Sequence, residues 1–586
     1  MNEKYQSLSW LRKRQLVRQG CLADDWSNVK VTDSFNPDDV HNSTFHGKVN
    51  LGKCKISFSV LTDVEVGEDS VIEQSTLKSV ILGNEVTISR VGLIENYRIE
   101  KNVSIVRVNE LRSDENFGEL WTKGFAVGNE AGDDNICFSL MTDDSTAWNS
   151  VHTRNRKLYK KLQSAEHPTE AIIASATTID NAGFLLNIVT AYGVTIQGAA
   201  ELHHGYIGQC CYVGSQVIAH YFLTHERSKI DGGANLHHVI VGAYSKIGKG
   251  FTAENCYFSH HCELYCGEAC AIFAGPHTVS HHKSTLLIGG EFSFYNAGSG
   301  TNQSNHAYKM GPIHHGKLAR GSKTASGSHI LWPMQTAPFT MVMGKVKSHP
   351  DLSKLPFSYV IAEQEKVYTI PGINLTTVGT FRDVMKWRER GQSDFIGEYD
   401  FLSPYVMQAV FEGLSLLNEL QEKYGKEAKE YPYNGTVIRN SSLLKGIERY
   451  KMAIKLFACK IDFDDESLIP DTKTAVWRWT DLNGIPIIEE RDQGYSVLPK
   501  APGTIKKFNR NYQRQTQMWG KMKLATYYGE SFDANTLKEE ATQCFAEWKK
   551  CLVDDAQKEF AMGDVEESLL TKTIARIESI RAEEIL

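Results

Sequence analysis

Between Gly298 and Thr324 the chain reads GSGTNQSNHAYKMGPIHHGKLARGSKT, with three histidines, three lysines, one arginine and no carboxylate. This is the densest part of a longer basic window. From Ala269 to Pro350 the one acid is Glu291, against Lys283, Lys309, Lys317, Arg320, Lys323, Lys345 and Lys347, in a chain whose net charge is −6. Leaving carboxylates out is useful where an anion must bind, because each would repel the ligand and compete for the same cations. Lys283, Lys309, Lys317, Arg320 and Lys323 are expected to partner phosphate, with Asn302, Gln303 and Asn305 as uncharged donors and acceptors. An imidazole titrates near neutral pH and can serve as a general base. The candidates are His282, His281, His306 and His314, in that order. The competing reading of the window is a solvated basic face or a subunit contact.

Two other chemistries fit less well. Gly316 to Thr324 nearly spells a phosphate loop, but Ser322 stands where that pattern needs lysine, and no strand–loop–helix surrounds it. For a metal, the adjacent pairs His281-His282 and His314-His315 can each place one member in a site, since neighbours on a strand face opposite ways. His220 and His238 are separated by three repeats of six, and would stack on neighbouring coils if the repeat held. No metal is favoured on these grounds; His220 and His238 are the candidates if one binds. Cys262, Cys266 and Cys270 lack the close pairing of zinc sites and read as structural thiols.

The elements that position these residues follow a beat of six. Val60, Val66 and Ile72 share it, as do Leu82, Ile88 and Ile94, and it returns at Ile207, Val213 and Ala219 and at Val241, Ile247, Ala253, Ser259, Tyr265 and Ala271. Such a period fits neither an amphipathic helix nor a meander. It predicts a parallel β-helix of hexapeptide repeats, each short strand placing one aliphatic residue inside a triangular coil. Glycines after the aliphatic residue, as in Val66-Gly67, are expected at the tight corners. The phase slips between His225 and Val241, which predicts a loop or bulge there.

The expected divisions are an N-terminal helix and lead-in (1–48), a first β-helix block (49–108), an insertion (109–170), a main block with the basic window (171–345), a β/loop extension (346–400) and an α-helical region (401–586). In the first, Ser7 or Ser9 caps a helix carrying Leu11, Leu16 and Val17, which Gly20 ends. In the last, Ser403-Pro404 opens a helix with Val406, Val410, Phe411, Leu414 and Leu417 on one face. Another helix carries Leu443, Ile447, Tyr450, Ile454 and Phe457. A terminal pair carries Leu537, Ala541, Phe545, Trp548 and Leu552, then Leu570, Ile574, Ile577 and Ile580.

At 586 residues with 41% hydrophobic and 23% charged content, the chain is expected to form several soluble globular domains. Its acidic balance argues against nucleic acid, and no apolar run reaches membrane-spanning length. Twelve cysteines with no signal peptide predict reduced thiols and a cytoplasmic protein.

The repeats resemble the left-handed β-helix superfamily of hexapeptide transferases. QGCLADDWSNVKV, VSHHKSTLLIGG, GSGTNQSNHAYKMGPIHHG and LPFSYV also resemble a family of large β-helix proteins best known from Bacteroides, which carries no assigned activity; that likeness runs to about residue 390. The superfamily resemblance implies a left-handed coil, homotrimers, and a histidine that deprotonates a sugar hydroxyl or amine attacking a thioester. The glycine-rich nucleotidyltransferase signature is absent, which argues against uridylyl transfer. The expected function is therefore acyl transfer from a CoA-type donor to a sugar phosphate or nucleotide sugar, with acyl-CoA as the candidate co-substrate. A metal-dependent lyase or hydrolase, or a non-catalytic binding or scaffold protein, is the alternative.

Overall fold

The computed structural model describes residues 5–118, 124–127, 136–139, 170–303, 316–391, 399–465, 478–482, 485–489, 502–563 and 566–585. The chain divides into two compact units, with the boundary in the continuous chain between Ala271 and Ile272.

The first unit is a parallel β-coil. One isoleucine-rich column shows how it is built: Ile56, Ile72, Ile88, Ile105, Ile179, Ile196, Val213, Ile230, Ile247 and Leu264 align in successive strands. Every one is 1% exposed or less. Burying a side chain of this size contributes roughly 1.5–3 kcal/mol. The column passes from Ile105 directly to Ile179. The register is unbroken across that join; the coil continues to Arg112 and resumes at Ile172.

The sequence period needs correction. Each coil falls one or two positions short of three equal sixes: Leu61 aligns with Leu77, and Leu77 with Ile94. One or two of the three inward steps are therefore fives. Val60 consequently lies outside at 36% exposure, while Leu61 points in. Beyond Ala253 the inward residues are Phe258, Leu264 and Ala269, with Ser259 and Tyr265 displaced from the beat. No bulge interrupts the chain from His225 to Val241; the strands there stay in register, Tyr212 on Lys229 and Ile218 on Asn235. The apparent slip is the shortfall of each coil, accumulated.

The corners differ too. They turn at left-handed residues that are mostly not glycine, for example Asp63 (φ 54°), Ser79 (φ 53°) and Asn96 (φ 59°). Asparagine and aspartate tolerate that region through local hydrogen bonds. Gly67 serves close approach instead: a Cβ there would lie 2.3 Å from the Gly83 carbonyl oxygen of the next coil.

At the N-terminus, helix α1 (Trp10–Arg18) is capped by Ser9 and followed by Gly20 at φ 81°. Of its apolar residues Leu16 is buried, whereas Leu11 and Val17 face outward.

The second unit carries its own parallel coils. Gly290–Phe292 pairs with Gly316–Leu318, which pairs with Gln335–Thr336. Trp332 fills their interior and donates its indole N–H to the Ile288 carbonyl at 2.6 Å. The longer helices described in this unit are α2 (Val378–Arg390), α3 (Pro404–Tyr424), α4 (Asn440–Ala458), α5 (Pro502–Tyr528), α6 (Ala534–Gly563) and α7 (Glu567–Ser579). Ser403 caps α3 through the Val406 N–H, as expected. Val406, Val410, Leu414 and Leu417 are buried, and so are Leu443, Ile447, Tyr450, Ile454 and Phe457 on α4. Lys460 pairs with Asp400, which also accepts the Tyr512 hydroxyl at 2.6 Å. Among the described residues no helix is long and apolar enough to cross a membrane, and no cysteine is in a disulfide.

Candidate functional site

Four successive strands on one side of the first unit carry the clearest grouping of reactive side chains: β1 (Glu201–Ile207), β2 (Ile218–Thr224), β3 (Asn235–Val241) and β4 (Thr252–Phe258). Inward residues Leu202, Ala219, Leu236 and Ala253 hold them in register. Gly205 makes room for the Phe222 ring, which a Cβ would meet at 2.3 Å. That register sets His203 beside His220, His220 beside His237, and His237 beside Glu254.

In-register parallel strands lie about 4.8 Å apart, so identical side chains on neighbouring coils stack. His203 and His220 do so, with ring centres 4.6 Å apart and planes 6° from parallel. Both direct Nε2 at Glu201 Oε1, at 3.3 Å and 3.0 Å respectively. The His237 ring meets His220 edge-on at 5.9 Å.

The following residue in each strand sits at a left-handed corner: His204 (φ 49°), Tyr221 (φ 50°), His238 (φ 52°) and Asn255 (φ 51°). The first three form a second stack, with His204–Tyr221 at 4.7 Å and Tyr221–His238 at 4.9 Å. His238 joins the two stacks through Nδ1, 3.0 Å from His237 Nδ1, one ring donating and the other accepting.

Burial lowers the His203 pKa below the ordinary histidine value, the neighbouring His220 adds to this, and Glu201 opposes it. His203 is therefore biased towards the neutral form, the form that ligates metals. One ligand atom each from Glu201, His203 and His220 lies within 4.8 Å of the other two. Their side chains are 37%, 27% and 28% exposed, which leaves the group open to solvent and small molecules. Two imidazoles and a carboxylate suit zinc, or iron(II) in a facial arrangement with open positions.

Of the histidine pair expected for a metal, the structure keeps His220 and moves His238. A coil one position short of three sixes brings His220 beside His203 and His237, and places His238 one position off, against Tyr221. The signal missed was His-His at 203–204, His-Tyr at 220–221 and His-His at 237–238, one pair recurring per coil.

The basic window lies in the second unit, apart from its first three residues, and the candidate site residues described there, from His281 to Lys323, take up separate environments. His306, His314, Asn305 and Lys309 fall outside the described residues. His281, His282 and Lys283 are exposed together in a turn closed by the Thr285 N–H on the His282 carbonyl. Arg320 is 1% exposed, its guanidinium 4.1 Å from the Phe294 ring centre. Lys323 pairs with Asp383 of α2. Lys317 aligns with Glu291, the single acid of the window. Asn302 continues a ladder between Leu286 and His329. The Gln303 amide donates to the Tyr295 hydroxyl at 3.1 Å in an interior polar cluster that includes Thr301 and Thr324.

The sequence matches, over residues 5–421, the model of a family described as a domain of unknown function, DUF4954. Among solved structures it is similar to UDP-N-acetylglucosamine O-acyltransferase (LpxA) from Moraxella catarrhalis, at 11% identity. That likeness covers 69% of this chain and 90% of the other, with a TM-score of 0.11, and it carries no inference about activity. No curated protein matches the sequence.

Proposed function

Because the chain belongs to the DUF4954 family, which is defined without an activity, we propose a function from the site itself: a metal-dependent hydrolase or lyase. His203 Nε2, His220 Nε2 and Glu201 Oε1 would hold its divalent transition metal. The observation that carries the reading is that both Nε2 atoms turn to one carboxylate oxygen, with the three donors within 4.8 Å of each other. An ion there would keep coordination positions for water and substrate, lower the pKa of the bound water and polarise a substrate oxygen. His237, edge-on to His220, is placed to act on a group bound beside the ion. The His238 contact orients it.

Protein purified after growth with zinc, cobalt or iron should carry about one equivalent of metal per chain by elemental analysis. His203→Ala with His220→Ala should lose it while circular dichroism stays unchanged. Failure to take up stoichiometric metal under any of these conditions would remove the reading.

A second reading, acyl transfer from a CoA-type donor to a phosphorylated sugar, is supported by the exposure of His281, His282 and Lys283 on one turn. It predicts that acyl-CoA binding is measurable by calorimetry and that acyl transfer is lost in His281→Ala with His282→Ala.

A further inference from the structure

The second unit contains a cleft of about 790 Å³ that none of the preceding chemistry uses. We infer that it is a binding site for a phosphorylated small molecule with an apolar body, distinct from the histidine site of the first unit. Its walls come from β5 (Lys345–Val346), the hairpin of β6 (Tyr359–Glu363) and β7 (Lys366–Ile370), the C-terminal half of α3, and the hairpin of β8 (Glu430–Tyr433) and β9 (Thr436–Arg439). A volume of this size suits a ligand of nucleotide dimensions.

Four lysines line the cleft, Lys345, Lys347, Lys366 and Lys423, against two carboxylates, Glu365 and Glu419. Their states differ in a way that matters. Lys366 is engaged by Glu430 at 2.9 Å, and Lys423 lies over the Tyr424 ring at 5.1 Å. Lys345 and Lys347 are exposed, and neither forms an ion pair among the described residues. A concave surface with an uncompensated positive balance concentrates anions.

A second observation is independent of charge. Ser348 Oγ, in the same lining, is buried and has no hydrogen-bond partner among the described residues. It lies 3.7 Å from the position a Cβ would take on Gly435. A buried hydroxyl without a partner is unfavourable, and rotation about its Cα–Cβ bond to donate to a phosphate oxygen in the cleft would relieve it. Gly435 (φ 75°) and Asn434 (φ 42°) form the two-residue turn of the β8–β9 hairpin, fixed by the Asn434 amide donating to the Asp351 carbonyl at 2.9 Å. The absence of a side chain at Gly435 keeps that wall open, while Leu416 and Leu420 of α3 offer the apolar body its surface.

The test is calorimetry on the full chain with inorganic pyrophosphate, UDP and uridine. Pyrophosphate and UDP should bind in about the millimolar range or tighter, UDP the more strongly, and uridine far more weakly. Lys345→Gln with Lys347→Gln should weaken UDP at least about tenfold at an unchanged melting temperature, and Ser348→Ala by several-fold. Lys451→Gln, on α4 and paired with Glu448, should leave UDP binding unchanged. The inference is overturned if neither phosphate probe binds, if the double variant binds as the parent does, or if Lys451→Gln weakens binding equally. Metal content at Glu201, His203 and His220 is read separately and does not enter the outcome.

Discussion

His203 and His220 stack face to face 4.6 Å apart and share a single carboxylate oxygen of Glu201. Burial and the neighbouring His220 disfavour the protonated form of His203, against the opposing pull of Glu201.

Since burial and His220 hold the His203 pKa below its unfolded value of about 6.5, the unfolded chain takes up a proton first as pH falls. Its contribution to stability is complete above that value and is lost as pH drops through the lower folded pKa. Thermal melts of metal-free protein should therefore show a decline below about pH 6.5. His203→Asn should flatten that decline; a parent and variant falling in parallel would show that the histidines are not responsible.

Ile179 should be among the costly positions to truncate. It is fully buried and is the first member of its column after the chain re-enters the coil. Ile179→Ala should destabilise by about 2–5 kcal/mol, because strands above and below fix the backbone and the cavity cannot collapse. Urea denaturation followed by circular dichroism would measure it.

In the second unit Gly316→Ala should destabilise although alanine favours most backbones. Its Cβ would lie 2.0 Å from the Trp332 ring, which is fixed by its bond to Ile288. Overpacking of this kind costs about 1–3 kcal/mol. Indole fluorescence should shift as Trp332 is displaced.

Asp400 anchors two groups on other elements. Burial pushes the Lys460 ammonium pKa down against the pull of Asp400, and the Tyr512 hydroxyl is driven well up by burial and by Asp400. Asp400→Ala would remove the buried carboxylate that both Lys460 and Tyr512 engage and should cost about 3–5 kcal/mol. Adding Lys460→Met should recover much of that, as measured by a double-mutant cycle.

The parallel coil could be read from sequence because its signal is local: aliphatic residues recurring at almost constant spacing. The exact coil length could not. A step of five differs from a step of six by a single position, and Val60 or Ser259 is as acceptable to the eye as Leu61 or Phe258. That one position decided the histidine site, since it separates His220–His238 from the observed His203–His220–His237 column. The basic window shows the other limit. Its missing acids were a fact of the chain, but Asp383, far along the sequence, answers Lys323 in space. Burial of Arg320 against Phe294 likewise has no signature in composition. Lys345 and Lys347 line a cleft with a buried serine hydroxyl, and only the fold distinguishes them from the rest.

The uninterrupted passage of the isoleucine column from Ile105 to Ile179 has a consequence for alignment. The join between Arg112 and Ile172 is a natural seam: the rungs on either side pair directly with each other, so their alignment is set by the coil's own strands. A coil whose rungs find each other across such a seam owes its alignment to the stacked aliphatic interior and not to unbroken chain.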